Sequence, residues 1–357
     1  MSFLKSVAVI LISVFFVTST DAHHINLADL VQTVEKSIVI VQAVPNEQPK
    51  PIKNSNPFSQ YGQPPAKKPD PAQKDQPTKS GTGFVVEGGI IVTNAHVVED
   101  SKFAYVLFKN QMKRHKVIIK HLDRKADIAV LVPENNQLLV SIAPLSFSTD
   151  LLRSGQSVFA IGHPLGFKYT VSTGIISSPS VHLPQDTNPF RRFVQTDTSI
   201  NQGNSGGPLM NHRGEVVGVN TIIISPGRVG SIGLGFSLRG DYVQRVLNHF
   251  RNFGEIKRPR IGIKLGYNQE KERLYVMEIQ PNSPASSSGI LVGDLILKIN
   301  ADEITLMEHI FNALEQLMPN DDMRVQVSRD GVITTYSVIL GDLREFEKKE
   351  ALKLKVR

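Results

Sequence analysis

The chain contains no cysteine. That excludes disulfides, thiolate metal sites and a cysteine nucleophile together. Strong charge is also missing: the formal balance is +7 over 357 residues. No dense basic stripe interleaved with aromatics occurs, so nucleic acid is not an expected partner. The scattered lysines fit peripheral contact with a membrane headgroup layer, or simple solubility. There is no H-E-x-x-H, and His23-His24 is too little to hold an ion, so neither a metal nor another cofactor is expected. The apolar run near the start covers residues 7–17 and is broken only by Ser13. Eleven residues are too few for a spanning helix, which needs about 20. No repeat of solenoid period is present.

What is present is enough apolar material for two domains. Hydrophobic residues make up 40% of the chain and charged residues 20%, the balance of a chain that buries a core. Residues 1–22 run from the single positive charge of Lys5 through the apolar stretch to the small or polar Thr18–Ala22. This is the layout of a secretory signal peptide, with cutting expected after Ala22 and an uncleaved anchor as the alternative. The mature protein is expected to be exported and soluble.

After a helical turn and a buried strand ending near residue 44, residues 45–80 break the pattern. They hold nine of the 21 prolines and only Phe58 and Tyr61 as aromatics. Such a stretch cannot bury enough apolar surface to offset its ordering entropy, and a mobile insertion is expected. From Gly81 on, short apolar-alternating strands are punctuated by glycine, proline and asparagine, which points to a β-sandwich or a pair of barrels. The first long amphipathic pattern predicts a helix over 241–253, with Asp241 as N-cap and Gly254 as its stop. A polar linker over 255–260 with a hinge at Pro259 follows. Residues 261–343 read as a small α+β domain. Its longer helix is predicted over 306–318, opened by a Thr305…Glu308 capping box. A charged tail, 344–357, ends the chain.

One turn stands out, Asn201-Gln202-Gly203-Asn204-Ser205-Gly206-Gly207-Pro208. It sets a serine among glycines between two strand-like runs. Glycine lets other chain approach closely, and neighbouring N–H groups in such a turn converge beside the serine hydroxyl, as a nucleophile with an oxyanion hole requires. An ordinary Ser/Gly turn is the bland alternative. The serine needs a base near the operating pH and a carboxylate to orient that base. His96, just past an apolar strand, and Asp127, opening another, supply those residue types. The expected roles are Ser205 as nucleophile, His96 as base then acid, and Asp127 as orienter. Gly203–Gly207 also satisfies G-x-S-x-G, but the strand-like segment after Ser205 and the upstream histidine argue against an α/β-hydrolase.

Several motifs recur in one order: Thr93-Asn94-Ala95-His96-Val97-Val98, Asp127-Ile128-Ala129-Val130-Leu131, Ile161-Gly162-His163-Pro164-Leu165-Gly166, residues 195–209 and Gly214-Glu215-Val216-Val217-Gly218-Val219-Asn220-Thr221. Together they resemble the HtrA (Deg) family of serine endoproteases, from about Val31 to Asp342. The resemblance implies a mainly β fold: a chymotrypsin-like double β-barrel (23–254) followed by a PDZ domain. It places His96, Asp127 and Ser205 at the triad positions and the N–H groups of Gly203, Asn204 and Ser205 at the oxyanion hole. Gln202 departs from the proline usual there, and His163 from Asn or Ser. Ile222 falls in the primary specificity pocket, and with Ile200 it implies a shallow apolar site for Val or Ala. Loops 177–190 and 224–235 would be the activation loops.

Arg260-Ile261-Gly262-Ile263 resembles the carboxylate-binding loop of a PDZ domain, with Val292-Gly293-Asp294 in the next signature. N–H groups of Ile261, Gly262 and Ile263 would hold a peptide C-terminus, with Arg260 adding charge attraction. The expected protein is a periplasmic, ATP-independent endopeptidase of protein quality control and stress response. Its partners would be unfolded proteins, C-terminal peptides and copies of itself in trimers or their multiples. The rivals are a membrane-tethered regulatory protease with one substrate and a peptide-binding chaperone with a vestigial site.

Overall fold

The computed structural model describes residues 26–46, 77, 79–163, 169–183, 191–201, 203–223 and 232–348. The signal-peptide expectation, nearly all of the proline-rich insertion, much of both expected activation loops and the last nine residues lie outside them. Helix α1 (Leu27–Val34) leads into β1 (Ile38–Pro45). The chain continues through β2 (Lys79–Val86), β3 (Ile90–Thr93), the one-turn helix α2 (Ala95–Val98), β4 (Ser101–Phe108), β5 (His115–Asp123) and β6 (Ile128–Pro133). These six strands close into a barrel in the order β1-β2-β3-β6-β5-β4. A second barrel follows, from β7 (Ser157–Gly162), β8 (Thr170–Val181), β9 (Phe193–Thr196), β10 (Pro208–Asn211), β11 (Val216–Ile223) and β12 (Gly235–Arg239). It closes as β10-β11-β12-β9-β8-β7.

These strands lack the apolar-in, polar-out alternation of a half-exposed sheet because many are buried on both faces. In β1, β2 and β3, Val39, Val41, Val85 and Ile91 point into one cluster within the first barrel. Their neighbours Ile38, Phe84, Val86 and Val92 join another cluster. In β7, Val158 and Ala160 face the second barrel's interior, while Phe159 and Ile161 turn to that same shared cluster. Period-2 geometry thus splits a continuous apolar run between a barrel core and the seam between barrels. A fully buried side chain of this kind contributes about 1.5–3 kcal/mol, so a seam of two dozen residues holds without a covalent tie.

Helix α3 (Gly240–Phe253) packs Tyr242, Val243, Val246, Leu247 and Phe250 into the seam cluster. It begins one residue before the expected start, so Asp241 is inside the first turn and is not the N-cap. Its carboxylate instead receives Arg239 Nε at 3.0 Å and the Tyr242 amide at 2.8 Å. Gly254 closes the helix in the left-handed region.

The last domain is a sheet ordered β14 (Ile263–Asn268), β15 (Arg273–Ile279), β16 (Leu295–Ile299), β18 (Asp322–Arg329), β19 (Val332–Ile339), with β17 (Asp302–Glu303) paired to β16. A separate pair joins β13 (Pro259–Arg260) to β20 (Gly341–Asp342). Helix α4 spans Met307–Glu315, shorter than expected, and the capping box does not form. The Thr305 amide and hydroxyl both lie 3.3 Å from His309 Nδ1, so neither takes its place in the box. Among the described residues no helix is long and apolar enough to cross a membrane.

The segment expected to be a free linker is docked. Arg258 makes two hydrogen bonds to the Asp123 carboxylate, at 2.9 and 2.8 Å, with both side chains largely shielded. Asp123 also accepts the Ala126 amide at 2.8 Å. Burial alone would push this carboxyl up; the Arg258 bonds and charge, with the Ala126 and Lys125 amides, outweigh that and hold it below its ordinary value. A depressed carboxyl contributes stability above its unfolded value near 4, and the contribution is lost as pH falls through the folded one. Arg258→Ala therefore lowers the melting temperature at pH 7 by several degrees, leaving a shielded charge unpaired at a cost of about 3 kcal/mol. Its melting temperature also declines less steeply than the wild type's between pH 5 and 2. Superimposable melting curves across that range would show that the pair contributes nothing.

Candidate active site

His96 sits on α2, a single turn that follows β3 directly, with Asn94 before it in extended conformation. Asp127 lies between β5 and β6 with φ +55°, a conformation Asp tolerates better than most side chains. Asn94 Nδ2 donates to the Asp127 carbonyl at 2.9 Å, tying the two turns together. The Asp127 carboxylate then faces His96 Nδ1, which lies 3.0 Å from both oxygens. Oδ1 also accepts the His96 amide at 3.1 Å, and Oδ2 accepts Thr221 Oγ1 at 2.5 Å. Asp127 is 8% exposed, whereas the His96 side chain is 43% exposed. One ring nitrogen is thus held by a buried anion and the other is left to the surface. With a carboxylate at Nδ1, the proton is kept there and Nε2 is the free basic nitrogen.

Ser205 comes from the second barrel, on the turn before β10. Gly203 has φ +104° and Gly206 φ +84°. At Gly206 the requirement is doubled: a Cβ would lie 2.2 Å from the Thr82 carbonyl and from Thr93 Oγ1. The seam closes at this point only because no side chain is present. The Gly206 amide donates to the Asn220 carbonyl at 2.8 Å, and the Asn220 amide returns to the Gly207 carbonyl at 2.9 Å. The turn is thereby fastened to β11 at Asn220, the residue next to the Thr221 that braces Asp127. No hydrogen bond links Ser205 Oγ to His96 among the described residues.

Of the three N–H groups expected at an oxyanion hole, the structure commits one elsewhere. Asn204 donates to the Asn201 carbonyl at 3.0 Å, because the reversal at Gly203 folds this peptide back onto the start of the turn. The amides of Gly203 and Ser205 have no protein acceptor among the described residues, so the pair that can face a developing oxyanion is these two. Ile200 is 1% exposed and packs with Ile176, Leu209 and Val217 inside the second barrel. The Ile222 side chain lies outside the described residues.

Of the residues expected to bind a C-terminal peptide, Ile261 gives its carbonyl to the Ala285 amide at 3.0 Å, and Gly262 gives its own to the Gln280 amide at 2.9 Å. Gly262 has φ +85°. Ile263 opens β14, which is paired only with β15, so the other edge of the sheet ends there. The Arg260 guanidinium does not project freely. It donates to Gln280 Oε1 and stacks 3.3 Å from the Phe346 ring centroid. Among the described residues no group of three or more His, Asp or Glu is placed to hold a metal ion.

Three residues that sequence reasoning passed over are central here. Thr221 braces the carboxylate, Asn94 joins the two turns, and Thr82 lies against the serine turn. Asn94 and Thr221 stand inside motifs read for other reasons; Thr82 had only its flanking glycines to mark it.

Comparison with known proteins gives a consistent result. A trypsin-like peptidase domain matches residues 81–219, and a PDZ domain matches 259–340. The chain is 30% identical over 365 residues to a probable periplasmic serine endoprotease, DegP-like, from Marinomonas sp. (strain MWYL1), covering 94% of this chain and 76% of that protein. It is 34% identical over 272 residues to Protease Do-like 1, chloroplastic, from Arabidopsis thaliana, covering 71% of this chain and 61% of that one. The solved structure of the HtrA-type protease AlgW with a tripeptide superposes with a TM-score of 0.73 at 23% identity, over 89% of this chain and 97% of that chain. That last likeness speaks for the fold alone.

The doubly constrained Gly206 supplies a test of the turn. Gly206→Ala is expected to abolish labelling of Ser205 by a fluorophosphonate probe while the 259–340 domain keeps its melting transition. Labelling at the wild-type rate would mean the seam tolerates a Cβ and the turn is not held as described.

Proposed function

The chain belongs to the HtrA/Deg family of serine endoproteases with a trypsin-like domain and a PDZ domain, and from that premise we propose that it is an exported, periplasmic endopeptidase that cleaves unfolded or damaged proteins. The observation that carries the catalytic reading is the His96–Asp127 pair on one barrel, facing a glycine-built serine turn on the other. Ser205 attacks the scissile carbonyl as His96 Nε2 takes its proton. Asp127, already bonded at Nδ1, holds the ring in the required tautomer and stabilises the imidazolium that forms. The N–H groups of Gly203 and Ser205 receive the oxyanion, each worth about 3 kcal/mol in the transition state. His96 then returns its proton to the leaving amine, and water repeats the sequence on the acyl-enzyme. No metal or nucleotide enters any step.

The buried Ile200 beneath the site favours small or β-branched apolar side chains at the cleaved position. The free edge of β14, beside the loop at Ile261–Ile263, suits strand addition by an extended peptide. The names of relatives favour the periplasm, and the expected signal peptide agrees with them. In this reading the PDZ domain recruits chains by their exposed C-termini. Arg260, engaged with Gln280 and Phe346, shapes the loop from below.

Casein digestion by the purified protein tests the core of the proposal. Wild-type protein is expected to degrade casein with cuts after Val, Ala or Ile, and Ser205→Ala to lose at least three orders of magnitude. Undiminished digestion by Ser205→Ala would refute the assigned nucleophile, and cuts mainly after Lys, Arg or Phe would refute the pocket. Calorimetric titration with a short peptide bearing a free apolar C-terminus tests the second domain. Binding is expected at micromolar affinity and should disappear when the peptide is amidated; equal affinity for both forms would remove the carboxylate loop from the reading.

A further inference from the structure

Thr82, in β2, is 1% exposed, and its backbone and side chain both reach across the seam to the serine turn. Its hydroxyl donates to the Gly203 carbonyl at 2.7 Å and accepts the His163 amide at 3.1 Å. Its amide donates to the Ser205 carbonyl at 2.9 Å, and its carbonyl accepts Thr93 Oγ1 at 2.7 Å. A buried hydroxyl must find its partners in the protein, and this one uses its proton and a lone pair on two segments of the second barrel.

The placement bears on the chemistry. The peptide between Gly203 and Asn204 is held at its carbonyl by Thr82 and at its N–H by Asn201. The two N–H groups available to an oxyanion belong to the peptides on either side of it. Their directions follow from torsions about Gly203 and Asn204. Gly203, at φ +104°, has no side chain to restrict its rotation, so its orientation has to be imposed from outside. The first barrel imposes it through one hydroxyl. We propose that Thr82 is a positioning residue for the acylation step, holding the oxyanion hole in register with His96 and Asp127 on its own barrel. The inference rests on the serine-protease reading above and adds to it the device that aligns the two halves of the site.

The test compares Thr82→Val, which keeps the shape and removes the hydroxyl, with Thr82→Ser, which keeps the hydroxyl and removes the methyl. Both are assayed on a fluorogenic peptide with valine at the cleaved position, alongside inhibition by a peptide boronic acid whose tetrahedral adduct occupies the hole. Thr82→Val is expected to lower kcat about 10- to 100-fold, less than outright deletion of a hole donor, with KM within about threefold. Boronate affinity should fall in proportion to kcat/KM, and Thr82→Ser should recover both to within about threefold of wild type. A Thr82→Val enzyme with kcat within about twofold of wild type, a loss confined to KM, or a Thr82→Ser enzyme as impaired as the valine variant would each overturn the proposal. Thr82→Ala replaces the valine variant if that one does not fold. Ser205→Ala, run in parallel, separates the two levels. Hydrolysis surviving in Ser205→Ala overturns the serine-protease reading and the inference with it, whereas an inert Ser205→Ala beside a fully active Thr82→Val overturns the inference alone.

Discussion

A carboxylate withdrawn from water has to be satisfied on every side, and Asp127 draws its partners from separate stretches of the chain. His96 approaches from α2 with both its ring and its amide, and Thr221 from β11 of the other barrel. Asn94 secures the Asp127 carbonyl. Hydrogen bonds to a charged group are worth about 1.5–3 kcal/mol each, and a buried charge that loses them costs more. The orientation of His96 is therefore a consequence of how the hydrogen bonds of the Asp127 carboxylate are satisfied. The residue that would orient the base is also bonded across the seam to the other barrel, through Thr221.

The seam around this carboxylate is built from two kinds of contact that cannot substitute for one another. Apolar residues from both barrels and α3 give it most of its stability without specifying an angle to a few tenths of an ångström. The polar contacts give direction: Thr221 to Asp127, and Thr82 to the carbonyls of Gly203 and Ser205. They fit only because Gly206 carries no side chain where Thr82 and Thr93 come close. Geometry of this accuracy separates a reactive serine from an exposed one.

Much of this was legible in the chain. Short strands separated by turn residues pointed to barrels, because strand length and turn punctuation stay legible even where burial on both faces removes the alternation. Gly203–Gly207 pointed to a close approach, because no other residue allows it. What escaped has a common cause. Asn204's amide was expected in the oxyanion hole, yet the turn consumes it, and only coordinates reveal which N–H a reversal uses. The capping box at Thr305 failed because His309, four residues on, competes for the same amide. Thr82 and Thr221 act across separations of 121 and 94 residues, and no local pattern encodes a partner so distant. Arg260 carried a charge in a suitable motif, but Phe346, from the tail, provides its resting place.

The linker shows how far that kind of long-range contact reaches. Sequence placed a hinge across 255–260, yet Arg258 is bound to Asp123, and Asp123 holds the Ala126 amide next to Asp127. Moving Arg258 would strand a shielded carboxylate at the foot of the turn that carries Asp127. The first part of the linker therefore belongs mechanically to the protease domain. Beyond it the two domains also meet through the Arg245–Glu315 contact at 3.1 Å and the Arg192–Asn312 bond at 2.9 Å. Burial pushes the Glu315 carboxyl up, against the pull of Arg245 and Arg192, so this contact is the less securely ionised of the two. Arg258 is tied on the other side as well, its carbonyl accepting the Leu343 amide at 3.0 Å. One residue thus bonds the first barrel with its side chain and the end of the PDZ domain with its backbone, immediately before the loop that would receive a peptide carboxylate.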